Sequence, residues 1–197
     1  MKINELTGYK SNDLYTKAKE IFSSDVRDIP IETQLKTFES IMDYYGFEHL
    51  GTGSYGSAYI NPKYPWVFKI FSHDPGYMTY IKYVKHNQNN PHVPKIRGGL
   101  IKISNNVYVV RIEKLTKLSD PNLAKIISFF QDLVVDGYTF DDIPQQKQDT
   151  LKPYKGLYKI ISDIWNGDSF SKFELDLATP GNIMLRGNTP VILDPVV

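Results

Sequence analysis

Three glycines, Gly51, Gly53 and Gly56, sit in the stretch "GTGSYGSAYI", and Lys69 follows 13 residues later inside "WVFKIF". Glycine lets backbone N–H groups approach an anion with no Cβ in the way. Glycines spaced like these, with Ser54 among them, are candidates to hold phosphate. A dinucleotide-binding turn would lead into a helix, whereas the strand-like "SAYI" follows here. A P-loop would close on Gly-Lys-Ser/Thr, which is missing. What remains is a glycine-rich β-hairpin with a lysine on the next strand. A lysine in so apolar a strand needs a partner, and beside such a hairpin it can reach the α- and β-phosphates of a nucleotide. The plainer alternatives are an ordinary hairpin and a strand lysine on a wet face.

A second set lies near the C-terminus. Asp176, Asn182 and Asp194 fall within 19 residues, at strand and loop ends. Phosphoryl transfer needs a carboxylate near the attacking hydroxyl and oxygen ligands that hold Mg²⁺ against the phosphates. Asp176 could orient the nucleophile, and Asn182 and Asp194 could hold the metal. Taken singly, Asp176 is also a good turn former and Asp194-Pro195 a simple strand stop. The four histidines, His49, His73, His86 and His92, lack ligand spacing, so the expectation is solvated loop residues.

These residues need elements to position them. "SNDLYTKAKEIFSS" at 11–24 reads as a short helix, and 30–45 as a stronger one. In the latter, Leu35, Phe38, Met42 and Tyr45 share a face with Ile31, Pro30 suits the first turn and Gly46 suits the stop. "FEHLG", "SAYIN" and "WVFKIF" read as three antiparallel strands. "DPGYMTYIKYVKHNQ" reads as a helix capped by Asp74, followed by strands at 99–104 and 107–113 joined at Asn105-Asn106. From residue 119 the pattern is mostly helical. One helix carries Leu123, Ile126, Ile127, Phe130 and Leu133 inward, and a second, near 154–167, carries Leu157, Ile161, Ile164 and Trp165, with Gly156 weakening its first turn. "NIMLR" and "VILD" close the chain as two strands around Gly187-Asn188. They would bring Asn182 and Asp194 to one edge. A shift from strand-rich to helix-rich composition at 115–119 marks a lobe boundary.

The order "GTGSYGSAY", "VFKI", "LDLATPGNIML", "ILDPVV" resembles the protein-kinase fold, over roughly residues 47–197. On that resemblance Gly51, Gly53, Ser54 and Gly56 form the glycine loop, with Ala58 where the family usually has Val. Lys69 is the ATP-binding lysine. "NNPHVPKIRGG" is similar to the segment leading from helix C into strand four. Glu113 and Leu115, in "RIEKL", fall where a hinge presents backbone groups to adenine. Asp176 matches the catalytic aspartate, Asn182 the metal-binding asparagine and Asp194 the aspartate of the DFG motif. The ending is more similar to the small host-directed serine/threonine kinases of tailed bacteriophages than to cellular kinases.

The pattern also departs from the family. Five residues separate Asp176 from Asn182 where the family has four. Glu174-Leu175 replaces His-Arg. The helix-C segment holds no Glu or Asp to pair with Lys69, so either Asp74 or Asp194 substitutes or the lysine is held by nucleotide alone. "DPV" replaces DFG. The sequence ends three residues after Asp194. The expectation is then either a truncated product or an acceptor held by other parts, the helices at 11–45 among them.

The implied architecture is α+β: a two-lobed kinase-like fold with an N-terminal helical extension (1–46), an N-lobe with an antiparallel sheet (47–117) and a short helical C-lobe (118–197). The implied function is ATP- and Mg²⁺-dependent phosphorylation of Ser or Thr on host proteins. A pseudokinase-like module that binds and modulates a host protein is the alternative, and a small-molecule phosphotransferase a third. Lys plus Arg is 23 against Asp plus Glu 22, so no overall field favours nucleic acid. The chain has no cysteine, which removes disulfides and thiolate chemistry. No apolar run approaches membrane-spanning length and the first 20 residues hold no apolar signal core. The expectation is a cytoplasmic protein, in the host cytoplasm if phage-encoded.

Overall fold

The computed structural model describes residues 30–53, 55–72, 74–104 and 106–196. The helix expected at 11–24, Ser54, His73 and Asn105 of the expected tight turn lie outside them. The fold is α+β and divides into two compact units. One holds the described residues up to Asp74 together with Ile96–Lys114; the other holds Pro75–Lys95 and Leu115 onward. The helix at 75–86, which the sequence grouped with the flanking strands, therefore belongs with the second unit.

In the first unit, helix α1 (Ile31–Tyr44) ends where Gly46 turns left-handed at φ +72°, a conformation glycine adopts without Cβ strain. Buried Asn61 secures that end, its Nδ2 donating to the carbonyls of Tyr45 and Gly46 at 3.1 and 2.9 Å. Five strands follow: β1 (Glu48–Gly53), β2 (Gly56–Ile60), β3 (Trp66–Ser72), β4 (Ile101–Lys102) and β5 (Val107–Glu113). They form one antiparallel sheet in the order β1-β2-β3-β5-β4. The three- and four-residue spacing on α1 meets the two-residue spacing on the strands. Phe38, Ile41 and Met42 pack with Tyr59, Phe68, Ile70, Val107 and Val109. Strand β4 is shorter than the expected 99–104, because Ser104 turns the chain. Its hydroxyl donates to Gln34 Oε1 (2.8 Å) and accepts from Val107 N (3.2 Å).

The second unit contains helix α2 (Pro75–His86), strand β6 (Thr116–Lys117), helices α3 (Pro121–Val135), α4 (Gln145–Leu151) and α5 (Lys155–Asn166), and strands β7 (Ile183–Arg186) and β8 (Thr189–Ile192). Asp120 caps α3 by accepting from Asn122 N at 2.8 Å. Leu123, Ile127, Phe130 and Val134 line its buried face, so Val134 takes the place expected of Leu133. On α5 the buried stripe is Leu157, Ile160, Ile161 and Ile164. Trp165, expected inside, lies one 100° step beyond that stripe and is 44% exposed. Phe130, Phe140 and Tyr158 join α3 to α5 through tilted and edge-on ring contacts. Gly156 has a packing reason: a Cβ there would stand 3.0 Å from the His92 ring, and its carbonyl accepts from Asn90 Nδ2. Strands β6, β7 and β8 make a second antiparallel sheet, with Gly187 at φ +58° in the β7–β8 turn. Among the described residues no helix is long and apolar enough to cross a membrane.

The histidine expectation needs correcting. His49 lies in β1 and His86 closes α2, both exposed, while His92 is only 2% exposed. Its Nδ1 donates to the Pro190 carbonyl at 2.8 Å, and Ile192 N donates to the His92 carbonyl at 3.0 Å. Burial lowers the His92 pKa below its ordinary 6.5. The carbonyls of Pro190 and Pro153 oppose that shift but do not overcome it, and the Arg186 charge adds to it. The folded chain therefore keeps His92 neutral at a pH where the unfolded chain binds a proton. Stability should fall as pH drops through about 6.5. Urea midpoints compared between pH 7.5 and pH 5 should show the decrease, and His92→Gln should flatten that part of the profile.

Candidate functional site

The glycine hairpin is built by β1 and β2, which pair Gly51 with Ala58, Thr52 with Ser57 and Gly53 with Gly56. None of the three glycines takes a positive φ, so backbone conformation does not explain them. For Gly56 the reason is packing. A Cβ there would strike the Ile70 carbonyl and come within 2.7 Å of Phe71 Cα. Gly51 and Gly53 differ: a Cβ would meet nothing within 4 Å at Gly51, and only the Gly56 carbonyl at 4.0 Å at Gly53. Strand β1 is exposed along its length. A polar chain runs across the hairpin, from His49 Nε2 to Thr52 Oγ1 (2.9 Å) to Ser57 Oγ (3.0 Å).

Lys69 sits in the middle of β3 between Ala58 of β2 and Val110 of β5, and is half-buried. Phe68 and Ile70, its neighbours along the strand, face the α1 core. Alternation then puts Lys69 on the opposite face with Val67 and Phe71. Glu113 ends β5 opposite Trp66. Leu115 follows two residues later and belongs to the other unit. Gly51, Gly53, Gly56, Lys69 and Glu113 are thus all carried by one sheet.

The second unit brings its three candidates together. Asn182 Nδ2 donates to the Asp176 backbone carbonyl (2.8 Å) and to Asp176 Oδ2 (3.0 Å). Thr179 N donates to Asp176 Oδ1 at 3.1 Å, and Asp176 N donates to the Pro195 carbonyl at 2.7 Å. The Asn182 carbonyl accepts from Leu193 N (2.7 Å) and, at a longer 3.4 Å, from Asp194 N. A bridge pairs Leu175 with Val196. The loop and the strand end are therefore laced together, with all three side chains half-buried. Within the loop between Asp176 and Asn182, Gly181 sits at φ +100°.

A carboxylate offers about four acceptor positions, and each Asp176 oxygen has one of these protein donors. Acceptor capacity remains for a further donor. The donors on Asn182 go to Asp176, which leaves Oδ1 as the acceptor of that amide. Asn182 Oδ1 and the Asp194 carboxylate are hard oxygen donors, the type Mg²⁺ takes while keeping several waters. Among the described residues there is no cluster of three His, Asp or Glu side chains fit for a metal. The donor set here mixes two carboxylates with an amide.

One residue of this network was not legible in the sequence. Tyr80 of α2 is fully buried, and its hydroxyl donates to the Ile192 carbonyl at 2.7 Å, two residues before Asp194. Burial, then the nearby Tyr83 and Asp194, raises its pKa well above the ordinary phenol value and keeps the hydroxyl a donor. Tyr83 stacks beside it and donates to Asp163 Oδ2 at 2.7 Å. Gly76 lets the helix approach closely, since a Cβ would stand 3.1 Å from Val196 and 3.3 Å from Phe173. A helix without an acidic residue is thus fastened to the Asp194 segment by a neutral hydroxyl. In sequence, Tyr80 is indistinguishable from the other tyrosines of its apolar face.

No protein-family model matches the chain, and no curated protein sequence matches it either.

Two outcomes follow from this geometry. Gly56→Ala should cost about 1–3 kcal/mol through overpacking, whereas Gly51→Ala should stay within about 0.5 kcal/mol. Urea denaturation of the two variants side by side measures the contrast. Tyr80→Phe leaves the buried Ile192 carbonyl unsatisfied and should cost about 1–3 kcal/mol in the same assay.

Proposed function

We propose that the protein is an ATP- and Mg²⁺-dependent phosphotransferase, a protein kinase acting on Ser or Thr of host proteins in the manner of the small phage kinases it resembles. The observation that carries this reading is the hydrogen-bonded set of Asp176, Asn182 and Asp194. It couples a carboxylate with acceptor capacity to a second carboxylate and an oriented amide. Asp176 accepts and orients the acceptor hydroxyl. Asn182 and Asp194 hold Mg²⁺, whose chemistry is to neutralise the charge on the transferring phosphoryl group. In the other unit, Gly51 and Gly53 leave the hairpin backbone open to phosphate, and Lys69 binds α- and β-phosphate oxygens. Glu113 and Leu115 offer backbone groups to adenine.

A second reading is favoured by one feature. Helix α2 lacks any acid and is fastened through Tyr80, which suits a pseudokinase-like module that binds nucleotide and modulates a host protein without transfer. Transfer of label from [γ-³²P]ATP with Mg²⁺ in host lysate separates the two. Labelled protein bands are expected, reduced about 10²–10⁴-fold by Asp176→Ala and lost with Asp194→Ala. Absence of label, with ATP still raising the melting temperature, would replace the kinase reading with the pseudokinase one.

A further inference from the structure

A cleft of about 530 Å³ opens in the second unit, within the range of sites that take a ligand. One wall is α3, where Ala124, Ser128 and Gln131 form a stripe beside the buried Leu123, Ile127 and Phe130. The first two side chains are too short to fill the space above them. The floor is Ile183 and Met184 of β7. The opposite wall is the loop 177–181, whose two ends are Asp176 and Asn182. The cleft and the carboxylate share this loop, and the backbone N–H of Thr179, a lining residue, donates to Asp176 Oδ1. The loop that walls the cleft is therefore tied by a hydrogen bond to the carboxylate proposed to orient the acceptor.

The lining also defines what would fit. It is mostly apolar, Lys117 is the charged group at its rim, and no carboxylate is present among its described residues. A basic side chain would find no counter-charge and would meet Lys117. An apolar one would gain burial, and a neighbouring acid would gain Lys117. Resting on the phosphotransferase reading, we propose that this cleft receives the apolar side chain next to the acceptor Ser or Thr in a protein substrate, with an acidic and not a basic residue selected at the Lys117 rim. Selectivity then comes from a wall of the same loop that carries the chemistry.

The test presents the full chain, with [γ-³²P]ATP and Mg²⁺, to a positional-scanning library of Ser/Thr peptides. Leu, Met or Phe should be selected at one or two positions near the acceptor, and Arg and Lys disfavoured. Ser128→Trp, which fills the cleft from an exposed helix position, should erase the apolar selection and raise KM about tenfold or more, with a much smaller effect on kcat. Lys117→Glu should turn the charge preference toward basic residues. Unselective labelling, or selection that survives Ser128→Trp and Ala124→Trp in folded proteins, would overturn the proposal. Label on a small-molecule acceptor in place of peptides would do the same. If no acceptor is labelled, the phosphotransferase reading fails by itself, and anisotropy of a fluorescent apolar-acidic peptide decides the cleft. Binding weakened by Ser128→Trp supports peptide docking there; no binding overturns it.

Discussion

Asn182 is tied at both its side chain and its backbone, and the chemistry proposed for the second unit depends on that double tie. Its amide is committed to Asp176 and its carbonyl to the strand segment at 193–194. The Asp176 side chain and the backbone of the Leu193-Asp194 segment are thereby held to a single residue between them. The β7–β8 hairpin makes this possible, because pairing Ile183 with Ile192 leaves Asn182 and Leu193-Asp194 as the next residues out. One of these bonds, from Asn182 Nδ2 to Asp176 Oδ2, is charge-assisted and so stronger than its neutral companions, and its half-buried setting strengthens it again.

Around that interlock the protein uses neutral buried donors. Tyr80 fastens α2 to the Ile192 carbonyl, and His92, kept neutral by burial, fastens the following segment to Pro190. Arg186, a charged and only half-buried donor, adds bonds to the Pro91 and Val93 carbonyls at 2.7 and 3.0 Å. All these partners are backbone carbonyls, of strand β8 for Pro190 and Ile192 and of the segment after α2 for Pro91 and Val93, and such groups need donors once buried. A neutral donor supplies that bond without the desolvation penalty of a buried charge.

The glycine hairpin shows how one motif can hold residues kept for different reasons. Gly56 is demanded by the approach of β3, whatever the hairpin binds, while Gly51 and Gly53 stand in open space where an alanine would fit. Packing accounts for the first and makes no such demand on the other two. Spacing alone could not divide them, because the distinction lies in the neighbouring strand and not in the hairpin.

By itself the sequence determined the order of the longer elements but not β6 or α4, the α1 and α3 faces to within a residue, and the hairpin that brings Asn182 and Asp194 to one edge. These are local matters, governed by periodicity, turn residues and two-residue hairpin closure. Tertiary structure alone decided the rest. It buried His92, exposed Trp165, joined α2 to the second unit, gave Tyr80 its partner 112 residues away and opened the cleft beside α3. Each of those depends on which surfaces meet across long separations, and a residue's type reveals its own capacity to bond but not the partner that the fold supplies.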